Sequence, residues 1–312
     1  MKKTLSILLV FTLILGTLFI SACSSSDKKE KGAEVDEKNL SFSTIADLKS
    51  SGTTYEFIEN NRGIEDDMIV CTIKKDASGD LTVPAEYDGK EVVALLSEDP
   101  SNASVTSITL DKGVSYIENC FSEKSDALTA LTLSDAATGI YNSFNNAVAL
   151  AEVTFTDSIK VIDKSFNTCA ALAKIETSGY VHDILDSFKD DTALATVTIG
   201  GSIQKIEGSF DNCGVTSLVF TENIHGMSKS FNSCPALTSV TMDQITGAFF
   251  TSFNKCKALK EVTYKQGGEM INKSYNDNDV LEKVDFGSGV GNISGSFENC
   301  PKYTLPEAPA EG

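Results

Sequence analysis

Eight cysteines, two histidines and a recurring serine carry the nucleophilic and metal-ligating chemistry of this chain. Five of the cysteines, Cys169, Cys213, Cys234, Cys256 and Cys300, stand three residues after an aromatic, an offset held elsewhere by Ala147, Asp191 and Asn278. A thiol, a methyl, a carboxylate and an amide at one position describe a tight, largely buried turn site that caps backbone groups better than an obligate disulfide. Cys213, Cys234 and Cys256 do fall on successive copies of the pattern, near the separation at which a bridge forms if the side chains face each other. No Cys-x-x-Cys pair occurs, so the spacing names no zinc site. Cys71 sits in an apolar run and reads as buried.

His182 and His225 fall six residues before their aromatics, in a column that also holds Lys160, Gln204, Gly247, Glu269 and Gly291. Such variety marks a solvent-facing position. Two turns apart is about 10 Å by strand spacing, too far to share a metal or act as a catalytic pair. Asp277-Asn278-Asp279 lacks the glycine and closing glutamate of a calcium loop and reads as a turn. The serines preceding the aromatics have no Gly-x-Ser-x-Gly elbow and no base beside them, so a ladder of serines linking neighbouring turns explains them better than nucleophilic catalysis. These residues imply no catalysis, no cofactor and no metal.

The elements that position these groups are copies of one unit. An aromatic recurs at Phe121, Phe144, Phe166, Phe188, Phe210, Phe231, Phe253, Tyr275 and Phe297, in steps of 22 residues except for one of 23 and one of 21. Eight of the nine are preceded by serine. Leucines such as Leu150, Leu172 and Leu194 follow six residues after the aromatic, and Val153, Ile175 and Val197 three later. Ile140, Ile162, Ile184 and Ile206 stand four before it. The short step comes from Cys213-Gly214-Val215, one residue briefer than its counterparts, and a loop absorbs the loss. A unit with four or five apolar positions cannot bury a core alone, so the copies must stack and share one. The alternation in Leu-x-x-Val-x-Phe predicts one short parallel strand per roughly 22-residue repeat, and nine turns would extend roughly 40 to 45 Å.

That pattern, followed by an isoleucine and then Ser-Phe-Asn-x-Cys, resembles the BspA-like leucine-rich repeats of bacterial surface proteins over residues 81 to 303. Val92-Val93-Ala94-Leu95 after Asp88-Gly89-Lys90 is similar to that family's entry into its first repeat. The family's usual proline after the strand and glycine after the isoleucine are missing, as at Ile162-Asp163 and Ile206-Glu207. The resemblance implies a leucine-rich-repeat solenoid that serves as an adhesin-like scaffold for an extracellular protein or polysaccharide.

The N-terminus supplies the location. Lys2 and Lys3, a mostly apolar stretch over residues 5 to 20, and the small Ser21 and Ala22 before Cys23 have the layout of a secretory signal. Ile20-Ser21-Ala22-Cys23 resembles the lipobox of bacterial lipoproteins, which implies a lipid on Cys23 and an extracytoplasmic, membrane-anchored or cell-surface protein. Loss of residues 1–22 with their two lysines takes the net charge from −18 to −20. So acidic a surface argues against nucleic acid and anionic lipid headgroups as partners. The expected organisation is a signal peptide at 1–22, a disordered tether at 23–39, a small N-terminal α+β or all-β cap at 40–95, the solenoid at 96–303 and a tail at 304–312. Within the cap, a short helix is expected near Ser43 to Lys49 and strands near Tyr55–Ile58, Met68–Ile73 and Leu81–Val83. Pro301, Pro306 and Pro309 blunt the last strand edge, so the chain is expected to be a monomer.

The remaining surface with a pattern is the outward column of the predicted strands: Thr109, Thr132, Thr154, Glu176, Thr198, Val219, Thr241, Thr263 and Asp285. Read functionally, this flat, concave face docks a protein or glycan, with Glu152, Lys174, Glu261 and Lys283 adding specificity at its rim. Read structurally, β-branched residues favour strands and paired threonines stabilise sheets with no ligand at all, which suits an envelope component without a dedicated partner.

Overall fold

The computed structural model describes residues 35–304, apart from Arg62, Gly267, Glu269, Ser288 and Val290. Cys23 and the signal segment lie outside the described residues.

Each repeat makes one turn of a solenoid, and most turns lay down two strands rather than one. The expected strand forms a valine ladder of Val105–Leu110, Ala130–Thr132, Glu152–Thr154, Lys174–Thr177, Thr196–Ile199, Ser217–Ile224, Ser239–Ile245, Glu261–Gln266 and Lys283–Asp285. The second, an isoleucine ladder, comprises Tyr116–Glu118, Gly139–Tyr141, Val161–Asp163, Val181–Leu185, Ile203–Glu207, Met227–Ser228, Ala248–Phe250 and Met270–Asn272, all paired in parallel. Most of these strands span two or three residues, too few for alternation to show in the sequence. Register equals repeat: Ile162 pairs with Ile184, Ile184 with Ile206, and Ile206 with Met227. Like therefore lies on like in every column, and the leucine, valine, isoleucine and aromatic columns close over one continuous core.

The nine aromatics form a single internal stack. Neighbouring ring centroids lie 4.7 to 6.2 Å apart along the whole run from Phe121 to Phe297. Stacked pairs of this kind add about 0.5–1.5 kcal/mol each beyond the area they bury.

The corner that carries them is built from left-handed backbone. From Phe144 to Phe297, the residue two before the aromatic, the aromatic itself and the residue two after all have φ between +43° and +64°. A bulky residue in this region costs on the order of 1–3 kcal/mol unless its surroundings fix it. Bonds along the solenoid axis do so here. The Lys164 N–H reaches forward to Leu185 O, the Phe166 N–H back to Ser143 O, and the Thr168 N–H forward again to Lys189 O. The N–H groups between them have no carbonyl in line, and side chains take that place. Ser143, Ser165, Ser187, Ser209, Ser230, Ser252 and Ser274 each donate their N–H to the hydroxyl of the next serine. In the adjoining column Asn145, Asn167, Asn232, Asn254 and Asn276 accept the N–H of the following turn. Ser-Phe-Asn repeats because each residue meets a separate backbone demand of the corner.

The N-terminal module continues this plan and then ends it. Ile69–Ile73 pairs in parallel with Lys90–Ser97, and that strand with Tyr116–Glu118, while Gly79–Val83 pairs with Val105–Leu110, so both ladders begin inside the segment read as the cap. Leu40–Thr44 then lies antiparallel on Ile69–Ile73. Order starts before residue 40, since the Asn39 N–H bonds Asp36 O and Lys74 Nζ bonds Glu37 O at 2.6 Å. The expected helix is Ile45–Ser50, capped by Thr44 and Asp47 in a reciprocal box. The strand expected near Tyr55–Ile58 is instead a helical turn, Glu56–Glu59. A tertiary bond decides this: the buried carboxylate of Glu118 accepts the N–H groups of Glu56 at 3.0 Å and Phe57 at 3.1 Å, filling the unpaired donors of a helix start.

Candidate ligand face

The outward column of the valine ladder is brought together as one row. Thr109 pairs with Thr132 and Thr132 with Thr154, Glu176 with Thr198, Val219 with Thr241, Thr241 with Thr263, and Thr263 with Asp285. Thr132, Thr154, Glu176, Thr198, Val219 and Asp285 are exposed, and Thr109, Thr241 and Thr263 are half-buried. Glu152, Lys174, Glu261 and Lys283 flank the row, all exposed. Lys174 is tied to Glu176 by a 2.9 Å ion pair, and Glu261 stands opposite Lys283 in register.

The row is not continuous in its hydrogen bonding. The valine ladder divides into three sheets, with breaks between Glu152–Thr154 and Lys174–Thr177 and between Thr196–Ile199 and Ser217–Ile224. The second break coincides with the short repeat. The missing residue leaves the aromatic stack intact, with Phe210 and Phe231 4.7 Å apart, while the strand that follows it, Ser217–Ile224, lies in a different sheet from Thr196–Ile199. The first break follows no change in repeat length. Two shallow grooves open on this face and share Thr198: one of about 350 Å³ beside Asp157, Glu176 and Ser178, and one of about 280 Å³ beside Ser217, Val219 and Thr221. The Ser178 hydroxyl and N–H hold the Asp157 carboxyl below its ordinary value, so it stays an anion at the groove edge. Val219, 51% exposed, is the apolar member of the row.

Comparison with known proteins fixes the family of this repeat. The model of the BspA type leucine rich repeat region matches residues 101–209 and 186–304, in six copies. The chain belongs to that family. No curated protein matches the sequence. Among solved structures, a leucine rich cell surface protein from Faecalibacterium prausnitzii A2-165 is similar at 17% identity, covering 75% of this chain and 83% of its own, with a TM-score of 0.44. The T. pallidum leucine rich repeat protein is similar at 14% identity over 77% and 86% of the two chains, with a TM-score of 0.35.

The other reactive residues of this BspA-type solenoid have structural partners. All seven cysteines among the described residues are buried free thiols, including Cys213, Cys234 and Cys256. Cys169, Cys213, Cys234, Cys256 and Cys300 each donate to the carbonyl of the aromatic one turn back, at 2.8 to 3.3 Å. Burial pushes the Cys169, Cys213 and Cys300 thiols up, and raises that of Cys71 to about 12. His182 lies 3.0 Å from Asp183, and His225 bonds Thr246, both on the exposed surface. In Asp277-Asn278-Asp279 the three side chains diverge: Asp277 bonds Asn299, Asn278 is buried on the Phe253 and Tyr275 carbonyls, and Asp279 pairs with Lys257.

A recess of about 440 Å³ between the Glu56–Glu59 turn and the isoleucine ladder escaped the sequence reading. Its acids are Glu56, Glu118 and Asp163. Both Glu118 oxygens are taken by backbone N–H groups and Asp163 sits 3.5 Å from Lys164, which makes the recess the seam of the cap. No signal in the sequence joins residues 56 and 118.

Proposed function

We propose that this protein is a lipid-anchored, extracytoplasmic binding scaffold, without catalytic activity, that holds an extracellular protein or polysaccharide against the outward row of its valine ladder. The observation that carries this reading is the row itself. Strand backbones within each sheet of the ladder satisfy one another, so the exposed hydroxyls and Asp285 are left for solvent or a partner, beside the Lys174–Glu176 ion pair. Hydroxyls that both donate and accept suit the hydroxyl-rich surface of a polysaccharide, and the grooves at Thr198 give the row relief. The signal-like N-terminus ending at Cys23 supports the location.

A second reading, an envelope component with no dedicated ligand, is favoured by the Thr109, Thr132 and Thr154 pairings, which stabilise a sheet unaided. One experiment separates the two. The full-length protein and a Thr198→Arg, Thr241→Arg, Thr263→Arg variant are compared on immobilised matrix proteins and polysaccharides. Binding lost in the variant supports the face, and equal binding rejects it. A wild type retained by none of these surfaces favours the structural role. Cys23→Ser is expected to move the protein from the detergent phase to the aqueous phase.

A further inference from the structure

The column three residues after the aromatic makes two demands of a polar side chain, while the methyl of Ala147 meets neither. It must donate to the aromatic carbonyl one turn back, as the thiols do and as Asn278 does to Phe253 O at 3.0 Å. The second is to accept the N–H of the residue below it in the column, which the Asp191 carboxyl does for Cys169 and the Asn278 amide oxygen, buried without a partner, does not. A thiol can meet both, being a weak donor and a weak acceptor at once.

Asp191 occupies this column fully buried. Its Oδ1 accepts the Cys169 N–H at 2.7 Å, which meets the accepting demand. Its Oδ2 is buried with no partner. A carboxylate can only accept, whereas a carboxylic acid accepts through one oxygen and donates through the other. The offset of 25 residues that links Cys169 to Phe144 O and Cys213 to Phe188 O points from Asp191 to Phe166 O. We infer that Asp191 is held as a carboxylic acid whose Oδ2–H donates to the Phe166 carbonyl, and that losing this proton loosens its turn, making it a pH-responsive joint in the solenoid.

The surroundings agree. Cys169 and Cys213 face Asp191 from the turns on either side, and both spend their thiol protons on other carbonyls. Asp190, on the same turn, is the charged neighbour, and its like charge disfavours ionisation. Burial is the larger cause and raises the Asp191 pKa to about 8, against the lowering effect of the Cys169 and Thr168 N–H groups. The valine-ladder strand of this turn, Thr196–Ile199, pairs with one neighbour only. A folded-state pKa above the ordinary 3.8 fixes the sign. The stability contributed by the protonated group is complete below about pH 4, declines as pH rises, and is gone once pH passes about 8.

Hydrogen exchange on the full-length protein tests this at about pH 6 and pH 9, with rates corrected for intrinsic exchange. Protection at residues 166–170 and 188–194 is expected to fall about tenfold at the higher pH in wild type, and to change little in Asp191→Asn. Asp191→Cys, which installs the column's usual thiol, serves as the reference if the asparagine variant does not fold. Equal protection at both pH values in wild type, or the same fall in Asp191→Cys, overturns the proposal. An Asp191 carboxyl ¹³C titration centred in the ordinary carboxylate range overturns it independently.

Discussion

The aromatic corner and the valine face are cut from the same repeat, yet they tolerate change differently. Along the corner, serine bonds to serine without interruption from Ser143 to Ser296, and the rings stack through the short repeat as if nothing were missing. The face, one strand away, is broken twice and exchanges threonine for glutamate, valine and aspartate. Where a backbone N–H depends on the serine hydroxyl of the next turn, the column holds serine from Ser143 to Ser296. Where strands bond each other directly, the outward side chain is free to change, and a binding surface can be written there.

Substitutions on the two sides can break or sharpen this contrast. The largest effect is expected from Phe210→Ala, which removes a ring stacked at 5.0 and 4.7 Å on its neighbours; a loss of about 3–5 kcal/mol should appear in chemical denaturation. Ser187→Ala leaves the buried Ser165 N–H without its acceptor and should cost about 1–3 kcal/mol by the same measurement, despite deleting a single oxygen. Thr154→Ala, on the exposed face, should stay within about 0.5 kcal/mol of wild type. A threonine change as costly as the serine change would erase the distinction between the two sides.

What the sequence disclosed divides along the same line. Column spacing revealed the solenoid, the aromatic stack, the serine ladder and the buried cysteine site, because each is a demand repeated every 22 residues. The second strand stayed hidden, since three residues around Ile162 or Ile184 show no alternation. Long-range, unrepeated contacts were equally silent. Nothing near Tyr55 announces that Glu118 will convert a predicted strand into a helical turn. Nor does spacing reveal that Tyr264, from the valine ladder, places its hydroxyl 2.5 Å from that of Tyr275, which explains how a phenol fits a column of phenylalanines. For the candidate face, the row of residues was legible and its interruptions were not: the deletion near Gly214 marked the place of one break, but a count of residues does not show which bonds a missing residue removes.

The reversed first strand, Leu40–Thr44, gives the start of the isoleucine ladder an antiparallel bonding pattern, where the next pairing along it is parallel. Successive molecules join into a fibre when the leading edge of one repeats the direction and bond spacing of the trailing edge of another. Here the leading edge of the isoleucine ladder runs opposite to every strand behind it. Lengthening the protein by inserting whole units in its middle leaves that strand untouched, so its span can grow by about 4.8 Å per added turn.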